Sequence, residues 1–79
     1  MYLISFRSRT STIGFNRILD KFNYKSQIIN TPRSISSSCS LSIKVDMDYP
    51  TLKTILIKSN IHDYMGIFTF YNGSFVRIF

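Results

Sequence analysis

Cys39 is the one thiol of this 79-residue chain, and it follows Thr31-Pro32-Arg33-Ser34-Ile35-Ser36-Ser37-Ser38. A cysteine reacts as its thiolate, so a reactive one needs a nearby cation or hydrogen-bond donors that favour ionised sulfur. Arg33 supplies a permanently charged cation in the same stretch. Consecutive backbone N–H groups at Ser36, Ser37 and Ser38 in a tight turn would add an anion-binding concavity. Pro32 fixes its own φ and so restricts the segment. Together these residues suit a nucleophilic thiol beside a site for an anion. The competing reading is a small apolar side chain tucked under a loop, which is common for free cysteines.

Other chemistries find less support. Ser36, Ser37 and Ser38 have no adjacent base to activate a hydroxyl, so they read as turn formers. His62, the only histidine, stands beside Asp63 and just past a helical segment. It reads as a surface histidine, and a Cys–His dyad would need the fold to bring it to Cys39. One cysteine and one histidine cannot complete a tetrahedral zinc site. The four aspartates show no ligand spacing, and no glycine-rich phosphate loop is present. Neither a metal nor a cofactor is expected.

The elements that must position Cys39 follow from periodicity. Met1–Arg7 alternates, with Tyr2, Ile4 and Phe6 on one face, as a strand does. Phe15, Ile18, Leu19 and Phe22 form one stripe of a helix that Ser8, Thr10 or Ser11 would cap. Lys25–Asn30 is a short strand built on Ile28 and Ile29, and Pro32 ends regular pairing there. Leu41, Ile43 and Val45 alternate with Ser42 and Lys44 in a half-buried strand. Asp48 caps a second helix with Pro50 in its first turn and Leu52, Ile55, Leu56 and Ser59 facing inward. Tyr64–Tyr71 is a strand, and Asn72-Gly73 signals a hairpin returning along Ser74–Phe79.

The order β-α-β-β-α-β plus a C-terminal hairpin strand predicts one α+β domain over 1–79, a ferredoxin-like sandwich with both helices on one face of the sheet. Phe15, Ile18, Leu19, Phe22, Leu52, Ile55 and Leu56 should pack on Ile4, Phe6, Leu41, Ile43 and Val45. The other face would carry Phe68 and Phe70, with Phe75, Arg77 and Phe79 sharing a face of the last strand. Such aromatics could stack RNA bases. The third strand, however, offers only Ser40, Ser42 and Lys44 outward, so a homodimer seam or another protein partner is the preferred occupant.

Composition sets the remaining bounds. Ten basic and four acidic residues give a net charge of +6, but the basic residues are scattered, which implies only weak attraction to anions. No apolar run reaches the roughly 18 residues of a membrane span. Arg7 and Arg9 interrupt the N-terminal apolar run, against a secretory signal. A lone cysteine forms no intramolecular disulfide, so a cytoplasmic location is expected.

The strand Tyr2-Leu3-Ile4-Ser5-Phe6, the following helix and short strand, Pro32-Arg33, Ser36-Ser37-Ser38 and Cys39 resemble a small bacterial family of selenium/sulfur-carrier-like proteins. The resemblance covers about residues 1–68. Members usually have glycine after the cysteine, where this chain has Ser40. The resemblance implies that Cys39 carries a chalcogen as a persulfide or perselenide and that Arg33 stabilises the thiolate. Pro32, Ser36, Ser37 and Ser38 would form the binding loop. It also implies donor and acceptor proteins, a cysteine desulfurase among the donors, and a carrier in place of a free-standing enzyme. The alternative is a non-catalytic regulatory or adaptor domain that binds a protein, or RNA, through the helix-free face.

Overall fold

A strand with apolar residues on both sides of its pleat organises the chain. In the computed structural model, which describes residues 1–33, 35 and 41–79, that strand is β1 (Tyr2–Phe6). It is followed by α1 (Arg9–Lys21), β2 (Ser26–Asn30), β3 (Leu41–Val45), α2 (Tyr49–Lys58), β4 (Tyr64–Tyr71) and β5 (Ser74–Arg77). The strands form one antiparallel sheet in the order β2-β3-β1-β4-β5, with β1 at its centre.

Register places the core. Ile4 lies opposite Ile43 on one side and Ile67 on the other, and Ile43 lies opposite Ile28. Side chains alternate along a strand, so Ile4, Phe6, Ile43, Val45 and Ile67 share one face. Phe15 and Leu19 of α1 and Leu52 and Leu56 of α2 join them in a single buried cluster. Both helices therefore cover the same face. The Phe6 and Phe15 rings meet at 5.6 Å between centroids, and Ser26 Oγ donates to Asn16 Oδ1 at 2.5 Å, tying α1 to the edge strand.

Ser8 is the N-cap of α1, accepting from Ser11 N at 3.1 Å. The helix ends as Asn23 enters the left-handed region at φ 64. Phe22, expected in the inward stripe, is instead the C-cap residue and 58% exposed, because the chain leaves the helix at that position. Asp48 occupies the N-cap of α2 as expected, but its side chain makes no capping bond there. Asn72 and Gly73 have φ of 51 and 81, the positive pair that a type I′ hairpin turn requires.

Phe79 departs from the expected arrangement. Strand β5 ends at Arg77, so the alternation that would put Phe79 beside Phe75 no longer applies. Its ring stacks on Tyr64 at 5.9 Å, and Lys53 Nζ of α2 stands 4.7 Å from its centroid. It therefore packs on the helix side. On the opposite face Arg77 lies over Gly66, where a Cβ would come within 2.8 Å of Arg77 Nε and 2.9 Å of the Phe79 carbonyl oxygen.

Leu56→Ala should cost about 2–5 kcal/mol by urea denaturation, since Leu56 is buried in the shared core. Phe22→Ser, on an exposed cap, should stay within about 0.5 kcal/mol of wild type. A reversed ranking would contradict the packing described.

Candidate functional site

The connection between β2 and β3 carries the sequence-predicted site. Cys39, Ser36, Ser37 and Ser38, together with Ser40, lie outside the described residues. At the entry to the connection Pro32 is half-buried and Arg33 exposed, and Ile35 N donates to the Pro32 carbonyl at 3.0 Å.

Both ends of the connection are fastened to the helix-free face. Thr31, just past β2, and Ser42, near the start of β3, share a hydrogen bond between their hydroxyls at 2.6 Å. Ser42 Oγ also bonds Ser5 Oγ of β1 at 2.8 Å. Ser5 and Ser42 are fully buried and Thr31 is 8% exposed. Ser5 is opposite Ser42 on β3 and opposite Gly66 on β4, so the hydroxyl chain runs towards the strip where Arg77 crosses Gly66. Leu3, on the same face, is likewise buried, between Lys44 and Phe68 in the register. The helix-free face is thus closed around β1. It is exposed towards the β4–β5 hairpin, where Phe70 is 54% exposed and meets Phe75 edge-on at 5.1 Å.

Ser5, Ser42 and Thr31 were not legible as a group in the sequence. Each serine occupies the polar position of an alternating strand, the same signal a solvent-facing residue gives. Only the cross-strand register turns those positions into a buried chain.

A second polar cluster stands at the start of α1. The Asp63 carbonyl oxygen accepts from Arg7 N at 2.9 Å, which brings Asp63 beside Ser8 and Ser11. Hydrogen bonding from the Ser11 hydroxyl holds the Asp63 carboxyl below its ordinary pKa, opposed by desolvation and aided by the Ser8 hydroxyl. Oδ1 of Asp63 is buried without a partner among the described residues. The neighbouring His62 is exposed, as its position after α2 suggested. A shallow cleft of about 280 Å³ is lined by Lys25, Ser26, Lys44 and Asp46, and an apolar groove of similar size by Ile18, Phe22, Ile55, Lys58 and Ser59. Among the described residues no group of three or more His, Cys, Asp or Glu side chains is arranged to hold a metal, and no helix is long and apolar enough to cross a membrane.

These elements, from β1 through the β2–β3 connection to the end of β4, are what a known family shares. The chain belongs to the family described as "Putative Se/S carrier protein-like", whose model matches residues 1–71. The match extends slightly beyond the region expected from sequence motifs and ends at the β4–β5 turn. No curated protein and no solved structure matches the chain.

The Asp63 cluster makes stability pH-dependent. Its folded pKa lies below the unfolded one, so the carboxylate contributes stability above the unfolded pKa. That contribution is lost as pH falls through the folded value. Asp63→Asn should therefore destabilise the protein at neutral pH and flatten the acid limb of stability, measured by urea midpoints across pH. An unchanged acid limb would remove the role assigned to Asp63.

Proposed function

We propose that this protein is a sulfur or selenium carrier in which Cys39 bears the chalcogen as a persulfide or perselenide. The observation that carries the reading is the family match, which spans the whole β2–β3 connection, including Pro32-Arg33 and Cys39. Strand order and the placement of both helices on one face support a single ferredoxin-like domain over 1–79 as the framework, with β5 as an added edge strand.

The chemistry is thiol–persulfide exchange. The Cys39 thiolate attacks the outer sulfur of a donor's persulfide, a new S–S bond forms at Cys39, and the donor's own S–S bond breaks to release its thiolate. The proton stays with the transferred sulfur, and no net oxidation occurs. Selenium follows the same course. An ordinary cysteine, with a pKa near about 8.5, is only partly ionised at neutral pH, so a cation favours the reaction. Arg33 supplies that charge, and the amides of Ser36, Ser37 and Ser38 assist it. Pro32 limits the entropy lost when the connection orders around sulfur. With no second cysteine, the persulfide cannot be discharged as an intramolecular disulfide. Donor and acceptor are proteins of the cytoplasm, a cysteine desulfurase being the natural donor class.

An adaptor role is the second reading. It is favoured by the apolar surface that the β4–β5 hairpin leaves on the helix-free face, where Phe70 is 54% exposed. A homodimer or another protein partner would dock there. RNA is the weaker candidate, since Phe68 and Phe75 are half-buried and the Phe70–Phe75 pair is already engaged edge-on.

Incubation with a cysteine desulfurase and cysteine, followed by intact-mass spectrometry, separates these readings. Wild type should gain the mass of one sulfur, Cys39→Ser none, and Arg33→Ala should load more slowly. A wild-type chain that gains no sulfur would end the carrier reading and favour the adaptor.

A further inference from the structure

The cross-strand register lays one row of side chains over the helix-free face. Gln27 lies opposite Lys44, Lys44 opposite Leu3, Leu3 opposite Phe68 and Phe68 opposite Arg77, so the row crosses all five strands. Phe70 and Phe75 form the next row of β4 and β5 on the same face. Lys44 and Arg77 are exposed, Phe70 is more than half exposed, and Phe68 and Phe75 are half-buried. The backbones that carry the two cations are three strand spacings apart, roughly 14 Å. Phe68 lies between them, with Phe70 and Phe75 beside it. Arg77 Nε donates to the Phe79 carbonyl oxygen at 2.8 Å, which orients the guanidinium, and its two terminal nitrogens carry further donors.

Most of the acids of the chain lie elsewhere. Asp20 is in α1, Asp48 is the N-cap of α2, and Asp63 stands beside Ser8 and Ser11. Asp46 alone stands at the margin of this face, just past the end of β3, where it lines the shallow cleft with Lys25 and Lys44. The groups that frame the aromatic patch therefore give it a positive potential. A second copy would bring the same cations against it, and like charges across an interface are costly. Stacking of bases asks for open ring faces, whereas Phe70 meets Phe75 edge-on at 5.1 Å and Phe68 is half-buried. The surface matches an apolar protein segment flanked by carboxylates.

We infer that the helix-free face docks an acidic protein partner, with apolar side chains of the partner on Phe70 and Phe75 and its carboxylates at Lys44 and Arg77. The inference rests on the adaptor reading for the surface and adds the chemistry of its occupant.

The probe is a synthetic peptide with two leucines flanked by aspartates, titrated into the isotope-labelled full chain and followed by amide chemical shifts. A matched peptide with asparagine for aspartate and an oligouridylate are titrated in the same way. The acidic peptide should shift the amides of Lys44, β4 and β5, and its affinity should fall as salt is added. Lys44→Glu should weaken it roughly fivefold, because a pair is lost and a like charge introduced. Phe70→Thr should weaken it about tenfold. Lys58→Glu makes the same change in net charge in the last turn of α2, and should stay within about twofold of wild type. Thermal unfolding identifies any variant that fails to fold. Should Phe70→Thr fail, the contrast between Lys44→Glu and Lys58→Glu decides. Equal weakening by those two, shifts confined to other surfaces, or no binding of the acidic peptide overturns the inference. Equal affinity of the asparagine peptide for this face overturns the acidic partner and leaves the adaptor reading standing. Tighter binding of the oligouridylate there, or a concentration-dependent dimer through this face in sedimentation, overturns it in favour of RNA or a second copy. A face that no probe and no second copy touches removes the adaptor reading as well.

Discussion

The register of β1 is the constraint on which the rest of this structure depends. With Ile4 set between Ile43 and Ile67, the side chains of one face enter the helix-covered core. The same setting places Ser5 against Ser42 on the other face. Because side chains alternate with a period of two, a slip of one residue would expel Ile4 and drive Ser5 into the apolar cluster. Core and hydroxyl chain are thus specified together. The large cost of burying an unpaired hydroxyl among Phe6, Phe15 and Leu56 makes the alternative register unfavourable.

That coupling runs from the core to the start of the β2–β3 connection. The helix-side core holds β1 and β3 in place, β3 presents Ser42, and Ser42 reaches Thr31 at the entrance to the Cys39 connection. Strand β2 is one edge of the five-stranded sheet. The opposite edge is built differently. Strand β5, beyond the family match, carries Arg77 back over Gly66 and leads Phe79 onto Tyr64 and Lys53. The last residues of this chain therefore buttress the family framework from both faces.

Much of this architecture was legible in the sequence, for reasons that can be assigned. The strand at Leu41–Val45 and the Asn72-Gly73 turn are local signals that the tertiary structure kept, although Leu41, expected in the core, stands outside the buried cluster and Ser42, expected outward, is buried. Phe22 misled because helical spacing continues past the residue at which the helix stops, and the left-handed turn at Asn23 is what decides the matter. Phe79 misled because parity along a strand says nothing once the strand has ended at Arg77. The polar clusters were the least legible. The pairing of Ser5 with Ser42 is set by register, and the placement of Asp63 beside Ser8 and Ser11 depends on where the chain re-enters the sheet. Of the expected site, Arg33 and Pro32 were placed at the entry to the connection, whereas Cys39 and Ser36–Ser38 lie outside the described residues.

The central claim is that the protein transports a chalcogen and hands it on. The most direct measurement isolates the chain after loading with radiolabelled sulfur, removes the donor and adds a sulfur- or selenium-accepting enzyme with a free active-site thiol. The account predicts that the label leaves Cys39 for the acceptor's cysteine and that the Cys39 thiol is regenerated. Label that remains on the chain, or that escapes only as free sulfide at the same rate with and without the acceptor, would contradict it.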